Sequence, residues 1–335
     1  MIYFFQYYRV LMIIFVLCRH LHTIFPSELL FDLLDGGSEA VSFFFILSGF
    51  LQYNSIQKNQ DGNYKTYLGK LIKKKKSYFI QYYLYLIIAC IYHFIIHTYK
   101  ISDLFKKCFL NSIFISTFHP VFNNSILGSA WFFVDLVLCM LLAPIIFNII
   151  NKNKYSTKEI YCLLALHILC NITLTNNEYY FWIMYYSIYI RLIEYIIGML
   201  LAKIKNEKFM FLNPNIAEIM AIFGVAMLHF LDLLLKKNYI FHYSLITVAN
   251  SFLIYVFSYQ SGIISSLCKK NYLVDIICKY SFTIYIFNFI FLLYSVLTPW
   301  SPSPYLNLLV TLVMLYFTGI GIDYIIHKMD ENKGL

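Results

Sequence analysis

Ten long apolar runs are the feature that most constrains the fold of this 335-residue chain. A helix needs about 20 apolar residues to cross a bilayer, whereas a transmembrane barrel would show short segments of alternating polarity. Polar connections separate the runs, which predicts membrane spans at about 7–25, 38–54, 77–97, 130–150, 158–175, 181–202, 215–235, 240–259, 276–298 and 305–327. The sequence therefore predicts an all-α, polytopic transmembrane helical bundle.

The charge content excludes a water-soluble fold of this length. Only 13% of the residues are charged and 60% are hydrophobic, whereas soluble domains carry about 25% charged residues. No repeat, linker or change of composition divides the chain, and only the connections 55–76 and 98–128 are long. We therefore expect residues 1–335 to form a single integral-membrane domain whose solvent is the lipid bilayer.

The placement of lysines predicts the orientation of this bundle. Cytoplasmic loops of membrane proteins carry an excess of Lys and Arg. With the N-terminus in the cytoplasm, seventeen lysines fall in cytoplasmic segments, including the run Lys73–Lys76, and five fall in the others. The even number of spans then places both termini in the cytoplasm. This asymmetry accounts for the formal net charge of +9, so no nucleic-acid partner is expected.

The eight cysteines show no spacing typical of metal ligands. None forms a CxxC pair, and most lie inside apolar runs, where a free cysteine behaves as a small hydrophobic residue. No metal site is therefore expected.

Arg9 and His20 are the most informative polar residues inside the apolar runs. An ionisable group in a bilayer costs roughly 2.5–3.5 kcal/mol on insertion scales, so its presence needs a reason. The two positions are eleven residues apart, which brings both to one helix face, about 16 Å apart along the axis. An arginine at the membrane surface suits phosphate binding, and a histidine, with an unperturbed pKa of about 6.5, suits general-base chemistry. The alternative is that His20 packs against another helix and hydrogen-bonds to it.

Other ionisable residues in the runs have mainly structural interpretations. Arg191 and Glu194 lie three residues apart on one helix face and can form an internal ion pair or, alternatively, contact a substrate. His167 and His229 are lone histidines on apolar helices, for which packing or interhelical hydrogen bonds are expected. Residues near span ends are expected to reach the membrane surface by snorkelling: Arg19, His22, Glu218, Asp232 and Asp323.

Six motifs, in order along the chain, resemble acyltransferase family 3, the integral-membrane O-acyltransferases that modify bacterial surface glycans and some other acceptors. The segment YRVLMIIFVLCRH reproduces the family's arginine and histidine with ten residues between them in the first span. The segment VSFFFILSGFL (Val41–Leu51) is similar to the family's FFxLSGF signature. Less specific matches are YLGKLIKKKKSYF, AWFFVDLVLCMLLAP (Ala130–Pro144), RLIEYIIGMLLA (Arg191–Ala202) and YSFTIYIFNF (Tyr280–Phe289).

Two positions depart from the family pattern. The family often has a histidine where Asn288 stands, so the second titrating group of those relatives is missing here. The acidic residue that often precedes the aromatic residues of the second span is replaced by Ser42, although Glu39 lies three positions earlier on a nearby face. Neither departure involves Arg9 or His20.

The resemblance implies an enzyme of the bacterial plasma membrane that transfers an acyl group from acyl-CoA, usually acetyl-CoA, to a hydroxyl of a surface polysaccharide or its lipid-linked precursor. Arg9 and His20 are the expected catalytic residues: Arg9, with the lysines of 65–76, would hold the CoA phosphates, and His20 would deprotonate the acceptor hydroxyl. No bound cofactor is expected. Ser48 is a candidate for stabilising the oxyanion, although it is also a small packing residue beside Gly49. The expected substrate-binding residues are Ser48, Glu39, Trp131, Arg191, Glu194 and Tyr285, with Phe132 as a further aromatic candidate.

Two other classes of function are compatible with the sequence. A transporter or flippase of lipid-linked sugars would use the same intramembrane polar groups as a pathway. It would be expected to show repeated halves or paired broken helices, which we do not find in this sequence. A non-catalytic scaffold of a glycan-assembly complex would tolerate loss of His20. Acyl-CoA-dependent transfer by the purified protein distinguishes the enzyme from both.

Overall fold

The protein is α-helical, as its apolar runs predict. In the computed structural model the described residues are 2–25, 29–59, 64–96, 99–120, 128–152, 156–206, 213–235, 240–297 and 304–331, and no β-strand occurs within them. Their α-helices, numbered in chain order, are α1 (Tyr3–Ile24), α2 (Leu29–Leu33), α3 (Gly37–Asn59), α4 (Tyr64–Ile95), α5 (Ile101–Ser112), α6 (Trp131–Lys152), α7 (Ser156–Leu174), α8 (Ile188–Asn206), α9 (Pro214–Leu234), α10 (Ile246–Ser258), α11 (Ile263–Leu267), α12 (Tyr272–Leu297) and α13 (Pro304–Glu331). The prediction of an all-α fold is confirmed.

Six helices within the described ranges are long and apolar enough to cross a membrane. The segments concerned are Tyr3–His22, Tyr64–Ile95, Trp131–Lys152, Ser156–Leu174, Pro214–Leu234 and Tyr305–Ile326. The four other predicted spans correspond to α3, α8, α10 and α12, which are helical as well. These helices support a membrane protein, whereas the total of ten spans and the cytoplasmic location of both termini stay predictions.

The sixth and eighth predicted spans are not continuous α-helices. The sixth begins with the π-helical turn Trp182–Tyr186, after which Ser187 is extended, with φ −79° and ψ 137°. Ser187 Oγ donates to the carbonyl oxygen of Ile183 at 2.7 Å, which satisfies one acceptor of the interrupted turn. The eighth span begins with the π-helical turn Ile240–Leu245. Hydrophobic periodicity does not reveal a single π-helical turn, because such a turn differs too little from the α-helix around it.

The crossing of α3 and α8 forms the centre of the bundle. A methyl group at Gly49 of α3 would overlap the carbonyl oxygen of Tyr195, and one at Gly198 of α8 would overlap that of Ile46. Each glycine therefore allows the two backbones to approach closely, as small residues do where helices meet in membranes. The close contact fixes the position of α3, which lines both of the cavities described below.

The packing of α1 and α12 completes the framework around the site. α1 packs against α3 and α12, and α12 also packs against α4 and α13. Thr283 Oγ1 of α12 donates to Gln81 Oε1 of α4 at 2.9 Å. The ring of Tyr8 on α1 contacts the ring of Phe43 on α3, with centroids 4.7 Å apart. Helices α1, α3, α4, α6 and α12 consequently surround a common interior.

A disulfide joins α4 to the short helix α5, between Cys90 and Cys108. α5 is amphipathic, and Ile101, Phe105 and Phe109 form a strongly exposed apolar stripe along it. Such a stripe is typical of helices that lie in the membrane interface. The cysteine spacing does not predict this pair, because the sequence does not show that α5 returns to the end of α4.

Candidate functional site

One cavity lies at the end of the bundle where α4 carries its lysines. It measures about 290 Å³ and lies among α1, α3, α4, α6 and α12. Its polar lining residues are Arg9, Ser48, Gln52, Ser55, Tyr67, Lys70, Lys74, Lys75, Tyr78, Ser281 and Tyr285. Four of them are cationic, and no acidic residue occurs in the described lining. We call this space the basic cavity.

Hydrogen bonds between helices hold the wall of the basic cavity. Arg9 Nη2 donates to Ser281 Oγ of α12 at 3.2 Å. Gln52 Nε2 of α3 donates to the Tyr67 hydroxyl at 2.8 Å, and that hydroxyl donates to the carbonyl oxygen of Met140 on α6 at 2.7 Å. A guanidinium has five N–H donors, so the bond to Ser281 orients Arg9 and leaves donors for an anion in the cavity.

A second cavity, of about 490 Å³, lies at the opposite end of the same helices. We call it the histidine cavity, because His20, His93 and His242 line it. Its aromatic wall consists of Tyr92, Trp131, Phe181, Tyr185, Tyr186 and Tyr285. The remaining ionisable lining residues are Arg19 and Asp35. Within the described part of the chain, no group of three or more His, Cys, Asp or Glu side chains is arranged to hold a metal ion.

The two cavities lie end to end. On a single helix, the residues that line one cavity are about one helical turn from those that line the other. On α1, Ile13 lines the basic cavity and Val16 lines the histidine cavity. On α3, Phe44 lines the basic cavity and Val41 the histidine cavity. Three residues of an α-helix rise about 4.5 Å. Tyr285 of α12 lines both cavities, so it stands at their boundary.

Adjacent residues of α6 complete this boundary. Trp131 faces the histidine cavity and Phe132 the basic cavity. The rings of Phe132 and Tyr285 are in contact, with centroids 4.9 Å apart. We call Trp131, Phe132 and Tyr285 the aromatic layer, because these adjoining residues line the two cavities where they meet.

The spacing of Arg9 and His20 predicts one face of α1, and in the structure Arg9 lines the basic cavity and His20 the histidine cavity. The two linings share Tyr285. The aromatic layer, which comes from α6 and α12, lines both cavities at this boundary. Helical spacing on α1 gives the direction of its own side chains and carries no information on what other helices place between them.

The other expected substrate-binding residues divide into two groups. Ser48 lines the basic cavity with Arg9, whereas His20 lines the histidine cavity. Trp131 lines the histidine cavity, and Tyr285 lines both. Ser48 is thus grouped with the proposed donor-binding residue rather than with the proposed base. Glu39, Arg191 and Glu194 form the second group, which belongs to neither described lining.

Arg191 and Glu194 form a buried ion pair. Arg191 Nη1 lies 2.5 Å from Glu194 Oε2, and the two side chains are 2% and 1% exposed. Arg191 Nη2 donates to the carbonyl oxygen of Met184 at 2.5 Å, and Thr247 Oγ1 donates to Glu194 Oε1 at 3.0 Å. These contacts join α8 to the preceding π-helical turn and to α10. The geometry favours the structural interpretation of this pair over the substrate-binding one.

Glu39 lies in a hydrogen-bonded pair with His229 of α9. The His229 Nδ1 is 2.7 Å from Glu39 Oε1, and its Nε2 is 2.9 Å from the carbonyl oxygen of Leu33. His167 similarly contacts Ser244, with Nδ1 3.0 Å from Oγ. The expectation of interhelical hydrogen bonds is confirmed for both histidines.

The two departures from the family pattern are buried near these elements. Ser42 Oγ lies 3.0 Å from Thr247 Oγ1. Asn288 Nδ2 donates to the carbonyl oxygen of Tyr285 at 2.7 Å. The amide at position 288 therefore lies one turn along α12 from the aromatic layer.

Sequence reasoning missed two contacts between a carboxylate and a basic side chain at the histidine cavity. Arg19 Nη1 lies 2.8 Å from Asp35 Oδ2, and both residues line the cavity. His242 Nδ1 lies 2.7 Å from Asp232 Oδ2. Asp232 is 5% exposed, so its snorkelling prediction is wrong, whereas the Arg19 side chain is 41% exposed and its snorkelling stays a prediction. In each pair the partner comes from another element, so no spacing along one helix could have revealed it.

Glu218 and Asp323 also have partners. Glu218 is 1% exposed, so its snorkelling prediction is wrong. Its carboxylate accepts hydrogen bonds from the backbone N–H groups of Gly262 at 3.0 Å and Ile264 at 2.9 Å, which holds the start of α11. Asp323 is partly exposed and forms an ion pair with Lys279. Both carboxylates thus tie helices together.

Comparison with family models accounts for nearly the whole chain. A model described as an acyltransferase domain, that of acyltransferase family 3, matches residues 2–327 of 335. Curated proteins and solved structures gave no match. The matched segment includes both cavities and every residue predicted for the site. The chain therefore belongs to acyltransferase family 3.

Proposed function

We propose that this chain is a membrane O-acyltransferase that moves an acyl group, acetyl above all, from acyl-CoA to a hydroxyl of a bacterial surface polysaccharide or its lipid-linked precursor. Its family supports acyl transfer. The observation that carries the rest is the end-to-end arrangement of the basic and histidine cavities. Such an arrangement suits a reaction in which an anionic donor and a polyhydroxyl acceptor enter from opposite ends.

The basic cavity suits the donor. CoA carries phosphate groups, and arginine and lysine donors form short, charge-assisted hydrogen bonds with phosphate oxygens. Arg9, Lys70, Lys74 and Lys75 supply such donors from two helices. The pantetheine arm of a donor bound there would point towards the aromatic layer at the inner end of the basic cavity and would bring the thioester to the junction of the cavities.

His20 is the proposed general base on the other side of the junction. Its imidazole would take the proton of the acceptor hydroxyl while the hydroxyl oxygen attacks the thioester carbonyl carbon. The C–S bond then breaks, and the CoA thiolate leaves and takes the proton back from the imidazolium. The products are the acyl ester and CoA with a free thiol, and the protein is unchanged. Hydrogen-bond donors at the junction would stabilise the oxyanion of the tetrahedral intermediate, which forms before the C–S bond breaks.

Two independent features indicate from which side of the membrane each substrate would enter. The basic cavity lies at the lysine-rich end, and lysine-rich segments are typical of the cytoplasmic side. The disulfide between Cys90 and Cys108 joins the last part of α4 to α5. This part of α4 lines the histidine cavity with Tyr92 and His93. Disulfides persist in oxidising compartments outside the cytosol. Acyl-CoA would then enter from the cytoplasm, and the glycan would approach from the opposite side.

Inverted membrane vesicles from a deletion strain that carries the gene on a plasmid provide the test. Radiolabelled acetyl-CoA is added outside, where the cytoplasmic face is exposed, and base-labile label is counted in the glycan. We expect incorporation with the wild-type chain, none with His20→Ala, and wild-type incorporation with His22→Ala, which changes a histidine outside the described cavity lining. Full activity of His20→Ala would remove the proposed base. Movement of lipid-linked sugar without consumption of acetyl-CoA would instead identify a transporter.

The donor site has its own matched comparison. Arg9→Ala is expected to abolish acetyl incorporation at unchanged protein levels, and Lys74→Ala is expected to weaken it. Lys73→Ala removes the same charge from the adjacent position, outside the described lining of the basic cavity, and should have little effect. Equal loss with Lys73→Ala and Lys74→Ala would indicate a general effect of surface charge rather than binding in the cavity.

A further inference from the structure

His242 places another imidazole in the histidine cavity, and Asp232 holds that ring in one orientation. His242 lies in the π-helical turn before α10 and lines the cavity together with His20. Its Nδ1 is 2.7 Å from Asp232 Oδ2 of α9. An ionised carboxylate only accepts hydrogen bonds, so the ring proton of neutral His242 lies on Nδ1 and its Nε2 carries a lone pair. Ser38 Oγ lies 3.3 Å from the same Nδ1, so its contact with the ring does not involve Nε2.

A neighbouring pair shows what a purely structural imidazole looks like in this bundle. His229 also has its Nδ1 2.7 Å from a carboxylate, that of Glu39. Its Nε2, however, lies 2.9 Å from the carbonyl oxygen of Leu33, so both ring nitrogens are bonded within the protein. His242 differs, because no described residue forms a hydrogen bond with its Nε2 and its side chain lines a cavity.

We infer that His242 is an acceptor-binding residue, whose Nε2 accepts a hydrogen bond from a hydroxyl of the acceptor other than the one that is acylated, and that Asp232 is its positioning residue. This inference rests on the proposed function and deepens it. A carbohydrate ring carries several hydroxyl groups in fixed relative positions. Holding one hydroxyl at His242 therefore determines which other hydroxyl reaches His20.

The rest of the histidine cavity agrees with a ligand of this chemistry. Its polar groups are the three imidazoles, Ser38, the hydroxyls of four tyrosines and the ion pair of Arg19 with Asp35. Much of the remaining wall is aromatic, and Trp131 contacts Tyr185 and Tyr186 with ring centroids 5.1 and 5.0 Å away. Polar groups placed beside aromatic surface are typical of sites that orient a ligand. A sugar ring has a hydroxylated edge and an apolar face that match these two kinds of surface.

Steady-state kinetics of four variants test the inference. The purified protein is placed in nanodiscs, with radiolabelled acetyl-CoA as donor and the polysaccharide from the deletion strain as acceptor. His242→Leu removes the Nε2 acceptor, whereas His242→Gln keeps a polar group near its position. Asp232→Asn removes the charge that fixes the ring. His229→Gln is the matched control, because it changes a carboxylate-bound imidazole outside the described lining of the cavity.

We expect His242→Leu to raise the KM for the acceptor by about tenfold, the size of one lost hydrogen bond to a ligand. The KM for acetyl-CoA and kcat at saturating acceptor should not change. His242→Gln and Asp232→Asn should give smaller increases, and His229→Gln none. NMR of the product should show that His242→Leu spreads acetylation over more than one hydroxyl.

Two results would overturn the inference while leaving the proposed function intact. One is a wild-type acceptor KM and a single acetylated position with His242→Leu. The other is a His242→Gln protein as inactive at saturating acceptor as His20→Ala, which would make His242 a base rather than a binding residue. Failure of the proposed function is distinguishable, because the wild-type protein itself would then transfer no label. Size-exclusion profiles of each preparation identify any variant that fails to fold, and His242→Gln and Asp232→Asn then carry the test.

Discussion

Replacement of Arg191 by methionine tests whether the intramembrane ion pair is structural. Glu194 is 1% exposed, so loss of Arg191 leaves a buried carboxylate whose remaining close contacts are Thr247 Oγ1 at 3.0 Å and His167 Nε2 at 3.8 Å. Breaking one side of a buried ion pair costs about 3–5 kcal/mol, because the other charge stays buried without its partner. Methionine fills much of the space of the arginine stem, so the cost comes mainly from the charge.

The expected consequence is a large loss of thermal stability. An unfolding entropy of about 2.1 cal/mol/K per residue means that a chain of 335 residues loses roughly 1.4 °C of Tm for each kcal/mol. A cost of 3–5 kcal/mol therefore corresponds to a fall of about 4–7 °C. Fluorescence-detected size-exclusion chromatography of heated, detergent-solubilised protein measures this fall. The double variant Arg191→Met/Glu194→Gln should recover most of it, because no uncompensated charge is left.

The activity of the same proteins gives the refuting result. A structural pair predicts that Arg191→Met retains turnover per folded molecule below its lowered Tm. An Arg191→Met protein with the Tm of the wild type and no acyl transfer would refute the reasoning and place Arg191 at the substrate. Absence of any recovery in the double variant would show that the guanidinium stabilises the fold through Met184 rather than through Glu194.

Three further predictions follow from the packing. Gly198→Ala should destabilise the bundle by about 1–3 kcal/mol through overlap with α3, whereas Gly224→Ala, with no atom near its added methyl, should leave the Tm unchanged; equal effects would contradict the close crossing. Tyr285→Ala should raise the ratio of acetyl-CoA hydrolysis to acyl transfer, because water then reaches the thioester through the joined cavities, and an unchanged ratio would contradict the boundary role. In a background without the other cysteines, Cys90 and Cys108 should react with an impermeant maleimide on intact cells only after reduction; reaction confined to inverted vesicles would reverse the orientation.

The fold was predictable where one helix carried all the information. The apolar runs predict the long helices. The spacing of Arg9 and His20 predicts that both project from one face of α1, because helical periodicity fixes the relative directions of side chains on a single axis. The π-helical turns before α8 and α10 were not predictable, since their apolar composition matches that of the α-helices they precede.

The site was less predictable, because its decisive contacts join different helices. The aromatic layer combines Phe132 of α6 with Tyr285 of α12. Asp232, the residue that orients His242, comes from α9. Twenty per cent of the chain is aromatic, so no pattern distinguishes these rings from packing rings. Asp232 lies near a helix end and resembles a snorkelling residue until its partner is placed.

The affinity for CoA, measured on the purified wild-type, Arg9→Ala and His20→Ala proteins, tests the two-cavity account most directly. A charge-assisted hydrogen bond to phosphate contributes about 1.5–3 kcal/mol, so Arg9→Ala should weaken CoA binding by roughly tenfold to a hundredfold. His20→Ala should bind CoA as tightly as the wild type and yet transfer no acyl group, because His20 lines the histidine cavity and not the basic cavity. CoA binding that is retained in Arg9→Ala and lost in His20→Ala would contradict the account.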